Sequence, residues 1–153
     1  MGGEGGRVII ERYIKAVIAV DLDALAALQH ADFIEEWPQS GERVRGRDNS
    51  RAIVENYPGG LLKNGVSRRR VVGSEDRWVL SPSFTLLRIE GTGDTFTFEG
   101  TAAYPGGEKI FVVAIAKVVD GKVARVTSYF APPFEAPQWR AQWVERPAGL
   151  GLS

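Results

Sequence analysis

Lys109 to Trp143 reads KIFVVAIAKVVDGKVARVTSYFAPPFEAPQWRAQW, and its opening part decides the fold. An apolar run, Ile110 to Ala116, continues through Val118-Val119 to Asp120-Gly121, and a second run, Val123 to Phe130, returns. Asp-Gly between two β-rich runs predicts a hairpin, because both residues tolerate the positive φ of a type I′ turn. The first arm is apolar at successive positions, so both its faces ask for cover, as in a central strand.

Working outward, 153 residues suffice for one domain with one core. Nineteen basic and nineteen acidic residues cancel. That balance argues against nucleic acid or an anionic membrane as partner, since either needs a concentrated basic face. The chain has no cysteine and a single histidine, His30, which excludes disulfides, thiol nucleophiles and Cys/His metal clusters. No metal and no cofactor is expected. With no apolar run of membrane-spanning length and no charged-then-apolar leader, the expected location is cytoplasmic.

Towards the N-terminus, residues 1–6 are glycine-rich and read as a flexible arm. From Arg7 to Val20, Ile10, Tyr13, Ile14 and Val17 recur at helical spacing, with Glu11 and Lys15 on the outer side. Asp21 is placed to cap a second, shorter helix through His30. Phe33 to Trp37 reads as a strand stopped by Pro38, and Glu42 to Gly46 as its return. Asp48 or Asn49 is the expected cap of a third helix carrying Ile53, Val54 and Tyr57.

The pattern then changes to strands at Ser67–Gly73, Trp78–Ile89 and Thr95–Tyr104, and ends in the hairpin. Trp139 and Trp143, four apart after Pro137, would share one side of a short final helix. Helices first and strands after give α+β. Three N-terminal helices should pack on a mostly antiparallel sheet in one domain, residues 7–146, with 147–153 a flexible tail.

Several local marks carry a resemblance. They are Tyr13 on the first helix, Asp21-Leu22-Asp23 at the helix corner, Ala31-Asp32-Phe33 opening the first strand and Glu36-Trp37-Pro38-Gln39-Ser40-Gly41-Glu42. Asp120-Gly121-Lys122 and Tyr129-Phe130-Ala131-Pro132-Pro133 complete the set. In this order and spacing they resemble the SnoaL-like, polyketide-cyclase branch of the nuclear transport factor 2-like superfamily. The resemblance implies a sheet curled into a cone, helices closing its narrow end, and an internal pocket.

Steroid-isomerase relatives use a tyrosine and a protonated aspartic acid as oxyanion donors, with a second aspartate as base. By that resemblance Tyr13 matches the tyrosine, the base position falls on Trp37, and the acid position falls on Val113 or Ile115. None of the last three can do the work, so 3-oxo-steroid isomerisation is not expected. Epoxide-hydrolase relatives set an arginine between two aspartates. There Glu99 matches one carboxylate, Thr97 the arginine and Ser128 the other carboxylate.

Glu35 and Glu36 are adjacent on a strand, and Glu35, on the face of Phe33 and Trp37, is the inward candidate. The expected catalytic residues are Glu99 and Glu35. Tyr13, Trp37, Trp78, Thr97, Ser128 and Phe130 are the expected ligand-binding residues. The implied function is a small-molecule pocket protein, acting without a cofactor as an isomerase, cyclase or hydrolase on an apolar or aromatic ligand. The alternative is a non-catalytic ligand-binding or dimerisation module of the same fold. A homodimer through the outer face of the sheet is expected, because one apolar face lines the cone and the other needs covering.

Overall fold

In the computed structural model, which describes residues 3–60, 66–73 and 94–148, Ile10, Tyr13 and Ile14 are all buried on one face of helix α1 (Gly3–Ala19). The helix begins at Gly3, so most of the expected arm is helical. Arg7, at 3.8 Å, is the ion-pair partner of Glu11 there. Val20 ends the helix at φ 52°, a left-handed conformation a β-branched residue adopts only under constraint. It is held by its N–H to Val17 O (3.1 Å) and by Asp21 N–H to Ala16 O (2.9 Å). This one residue folds the chain back with no loop.

Helix α2 (Leu22–Leu28) is capped by Asp21, whose carboxylate accepts from Ala24 N at 3.1 Å. It is shorter than the sequence suggests. Gln29 already has extended backbone, and strand β1 (Gln29–Trp37) starts there. His30 is therefore a strand residue, and its Nδ1 accepts from Asp32 N at 3.0 Å.

Strand β2 (Glu42–Arg45) pairs antiparallel with β1, and helix α3 (Arg47–Glu55) follows. Gly46, at φ 88°, is the cap of α3 in place of Asp48 or Asn49. Asp48 sits instead in the first turn, where the helix dipole favours an anion. The Asn49 amide donates back to Arg45 O at 2.9 Å.

The remaining strands are β3 (Val66–Gly73), β4 (Thr95–Ala103), β5 (Lys109–Val119) and β6 (Lys122–Ala131). The expected strand Trp78–Ile89, and with it Trp78, lies outside the described residues. Sheet order is β2-β1-β6-β5-β4-β3, antiparallel throughout except for β1 against β6. The sheet is curled and not closed, which makes the fold α+β as expected. Asp120 (φ 52°) and Gly121 (φ 72°) form the predicted type I′ corner of the β5–β6 hairpin.

Alternation along β5 and β4 sets the two faces. Ala114, Ala116, Val118 and Phe96 are buried and join Phe33, Val126 and the inner face of α1 in one core. That face is concave, with α1 lying across β3 to β6. Phe111, Val113, Ile115, Thr97 and Glu99 occupy the other, convex face. The final turns, Gln138–Trp143, are 3₁₀ and not α. At three residues per turn, Trp139 and Trp143 diverge by about 120° instead of sharing a side.

Candidate functional site

Phe33, Glu35 and Trp37 alternate onto the concave face of β1. Phe33 is fully buried against Tyr13 and Ile10. Glu35 follows one alternation later, in register with Val44 on β2 and Val126 on β6, both buried. Beyond it the Trp37 indole donates Nε1–H to Glu35 Oε2 at 2.9 Å. Next door on β6, Val126, Ser128 and Phe130 share the face, with Ala114 opposite Ser128. Trp37 meets Phe130 edge to face, with ring centroids 6.5 Å apart. The Gln39 amide fixes this contact: it donates to Phe130 O at 2.7 Å and accepts from Phe130 N, continuing the ladder with a side chain.

The electrostatics single out two groups. Burial raises the Glu35 carboxyl above its ordinary range, and the Trp37 hydrogen bond only partly offsets this. No cation pairs with Glu35 among the described residues. Burial also raises the Tyr13 phenol, and the nearby charge of Glu35 adds to it, while a hydrogen bond with Gln29 works the other way. Tyr13 is thus a phenol at any neutral pH, able to donate. Glu35 is a carboxyl poised to exchange a proton, and its second oxygen accepts no described hydrogen bond.

Glu36, its neighbour, has the opposite surroundings. It points to the convex side, where Arg43 Nη2 (2.8 Å) and Arg125 Nε (3.0 Å) hold it. Those hydrogen bonds keep its carboxyl below the usual range.

Glu35, Trp37, Ser128 and Phe130 therefore share the concave face of the sheet, and Tyr13 of α1 is part of the core packed on that face. Glu99 and Thr97 do not join them. They alternate with Phe96 and Phe98, which face the core, and are in register with Val113 and Ile115 on the convex side. Glu99 is also in register with Arg70 of β3. Val113 and Ile115 themselves face outward; at their level the concave positions are Ala114 and Ala116, whose methyls donate no proton either.

One residue that sequence reasoning missed is Gln29. It is buried beside Tyr13, where a helix end had been expected, and no local signal distinguishes it. Trp37 also lines an open cleft of about 450 Å³ framed by β2 and α3, together with Val44, Arg45, Asn49, Ile53 and Asn56. Among the described residues no cluster of three His, Asp or Glu side chains could hold a metal ion. Nor is any described helix long and apolar enough to cross a membrane.

A family model described as a SnoaL-like domain matches residues 10–126. Among solved structures, an NTF-2 like protein of unknown function from Burkholderia xenovorans is 32% identical, with 97% of this chain and 99% of that one covered and a TM-score of 0.69. A ketosteroid isomerase candidate from Kribbella flavida is 27% identical over 96% and 93% of the two chains, also at TM-score 0.69. An LEH-like epoxide hydrolase of M. tuberculosis shares the fold at 20% identity, 83% coverage of each chain and TM-score 0.55. The comparison with curated proteins gives no match.

Proposed function

We propose that this chain, which belongs to the SnoaL-like family of the nuclear transport factor 2-like superfamily, binds a small, largely apolar molecule on its concave face and moves a proton on it through Glu35. The observation that carries this reading is the Glu35 carboxyl itself. It is raised by burial, unpaired with any described cation, oriented by the Trp37 indole, and close enough to Tyr13 to act on its phenol. In its charged form Glu35 takes a proton from a carbon beside a carbonyl, and Tyr13 O–H donates to the oxygen on which charge develops. Glu35 then returns the proton elsewhere on the ligand. This is cofactor-independent isomerisation. Trp37, Phe130 and Val126 supply apolar walls, and Ser128 a second polar contact.

The resemblance to the Kribbella protein at 27% identity supports the isomerase direction. In this reading Glu35, one strand alternation before Trp37, serves as the base. Among the described residues the relatives' protonated-acid position carries no carboxyl, since the concave residues at that level are Ala114 and Ala116. Losing one oxyanion donor costs about 10²–10³-fold in turnover, so activity on enones should be slow. Glu99, on the convex face, takes no part in this scheme.

The test is a screen of apolar enones, with ligand binding followed in parallel by Trp fluorescence. Turnover that Glu35→Gln abolishes while binding persists supports the scheme. Binding without turnover in either protein would point to the second reading, a non-catalytic ligand-binding module.

A further inference from the structure

The sequence Tyr-Pro-Gly-Gly occurs twice, at 57–60 and at 104–107. The first copy follows α3, and the second turns β4 into β5. Both fold through the same bond: Gly60 N–H donates to Tyr57 O at 2.8 Å, and Gly107 N–H to Tyr104 O at 2.9 Å. The two turns also meet in space. The Tyr57 and Tyr104 rings stack with centroids 5.8 Å apart and planes 29° from parallel. A Cβ on Gly59 would stand 3.2 Å from that of Pro105, so glycine is what lets the turns close to this distance. Burial raises the Tyr104 phenol above its ordinary range, and the nearness of Tyr57 raises it further.

Topology shows what this contact ties together. Helix α3 leaves β2, one edge of the sheet, and the next strand of the chain is β3, the other edge. At its first end α3 is fixed to its own side. Gly46 N–H donates to Phe33 O at 2.7 Å, and Arg51 is paired with Asp23, beside it on α2, at 2.9 Å. At its last end Tyr57 reaches Tyr104, which continues the phase of Phe96, Phe98 and Ala102 on β4. The helix is a strap held at both ends.

Under the strap lies the cleft of about 450 Å³, within the roughly 300–1,000 Å³ of ordinary ligand pockets. Trp37 and Val44 belong to its strand wall, and Ala52, Ile53 and Asn56 to its helix wall. Both strand residues adjoin Glu35. Trp37 donates to its carboxylate, and Val44 is its register partner on β2. Asn56, on the helix wall, immediately precedes Tyr57.

We propose that Tyr57 and Tyr104 are specificity-determining residues of the Glu35 site: their stack latches α3 over the cleft and fixes the width of the passage beside Trp37, so that compact apolar molecules pass and bulky ones do not. What the passage serves rests on the reading of Glu35 given above, but the latch can be tested without ligand or turnover. A single aromatic contact suits this task. It is strong enough to keep the strap closed for most of the time and weak enough to break thermally.

The chain has no cysteine, so Val44→Cys places one thiol on the cleft wall, in register with Glu35. Its alkylation by compact iodoacetamide and by bulky fluorescein maleimide is followed by mass spectrometry, each rate normalised to that of free glutathione. The bulky reagent should lag in the latched chain. Tyr57→Ala or Tyr104→Ala should raise its normalised rate roughly tenfold, as loss of one aromatic contact allows, and leave the compact reagent within about twofold. The double variant should add little, since both residues serve one contact. Phenylalanine at either position keeps the stack and should behave as the parent. Gly59→Ala sets a methyl against Pro105 and should widen the cleft with both rings in place, so it decides the matter where an alanine variant fails to fold. Equal normalised rates in the parent overturn the proposal, and so does a thiol that neither reagent reaches. Unchanged ratios in the folded variants overturn it too, as does acceleration of both reagents alike, which marks general loosening.

Discussion

The two sides of this sheet are built from nearly the same residue types and end in opposite states. On the concave side, Phe33, Phe96, Ala114, Ala116 and Val126 are buried under α1. On the convex side, Val113, Ile115 and Tyr129, one residue out of phase on the same strands, remain partly in water. Glu35 and Glu36 repeat the contrast in charge. Adjacent on β1, one is raised by burial and the other lowered by two arginines. Composition did not decide which side became the core; the side on which α1 lands did. The difference teaches that a carboxylate's chemistry here is set by strand phase more than by residue type.

The largest effect expected from probing this contrast is in packing. Phe33→Ala opens a cavity in the concave core and should cost about 3–5 kcal/mol in urea unfolding. Ile115→Thr, a smaller loss of apolar surface on the convex side, should stay within about 0.5 kcal/mol where the chain is monomeric. Equal costs would mean that the convex face is already covered within one molecule.

Next comes Glu35→Gln. On any substrate turned over, it should lower the rate about 10²–10⁴-fold, the usual contribution of a general base. Its effect on stability has a definite sign. With its pKa raised in the folded state, Glu35 favours folding while protonated, and that advantage declines as pH rises through the folded-state value. The glutamine variant should therefore match the parent in mild acid and exceed it at pH 8. Thermal melts at several pH values check this, and a variant weaker than the parent at pH 8 would mean that Glu35 is ion-paired.

Trp37→Phe should act more gently. Without the indole donor, the Glu35 carboxyl titrates still higher, which carbon-detected NMR of the labelled side chain can follow. An unmoved titration would separate Trp37 from the acid/base group.

Glu36→Gln should have the smallest effect, with the opposite pH dependence. A lowered pKa stabilises the fold above the unfolded-state value and loses that contribution as pH falls through the folded one. The variant should thus be slightly weaker at neutral pH and equal to the parent in strong acid. Added salt should shrink the gap, since the Arg43 and Arg125 pairs are exposed.

Read alone, the sequence determined what depends on neighbours along the chain. Asp120-Gly121 can turn only one way, Asp21 lies one residue ahead of an apolar helical run, and two helices precede the first strand; each became the expected element. Alternation likewise paired Thr97 with Glu99 and Glu35 with Trp37. It states which residues share a face, but not which face is the core. On β1, Phe33 supplied that phase, and Glu35 lies on the concave side as expected. On β4, the apolar Phe96 and Phe98 carried the same information against Glu99. The doubly apolar β5 beside them hid it, because either face of β4 then met an apolar neighbour.

Only the tertiary structure decided the rest. Packing of α1 chose the concave side, the pairing of β1 with β6 is parallel across almost the whole chain, and Gln29 entered the core through a helix that stopped early. These outcomes arise from contacts between residues far apart in sequence, whose energies no local window contains. The side of the sheet on which a carboxylate meets water or a ligand is one of them.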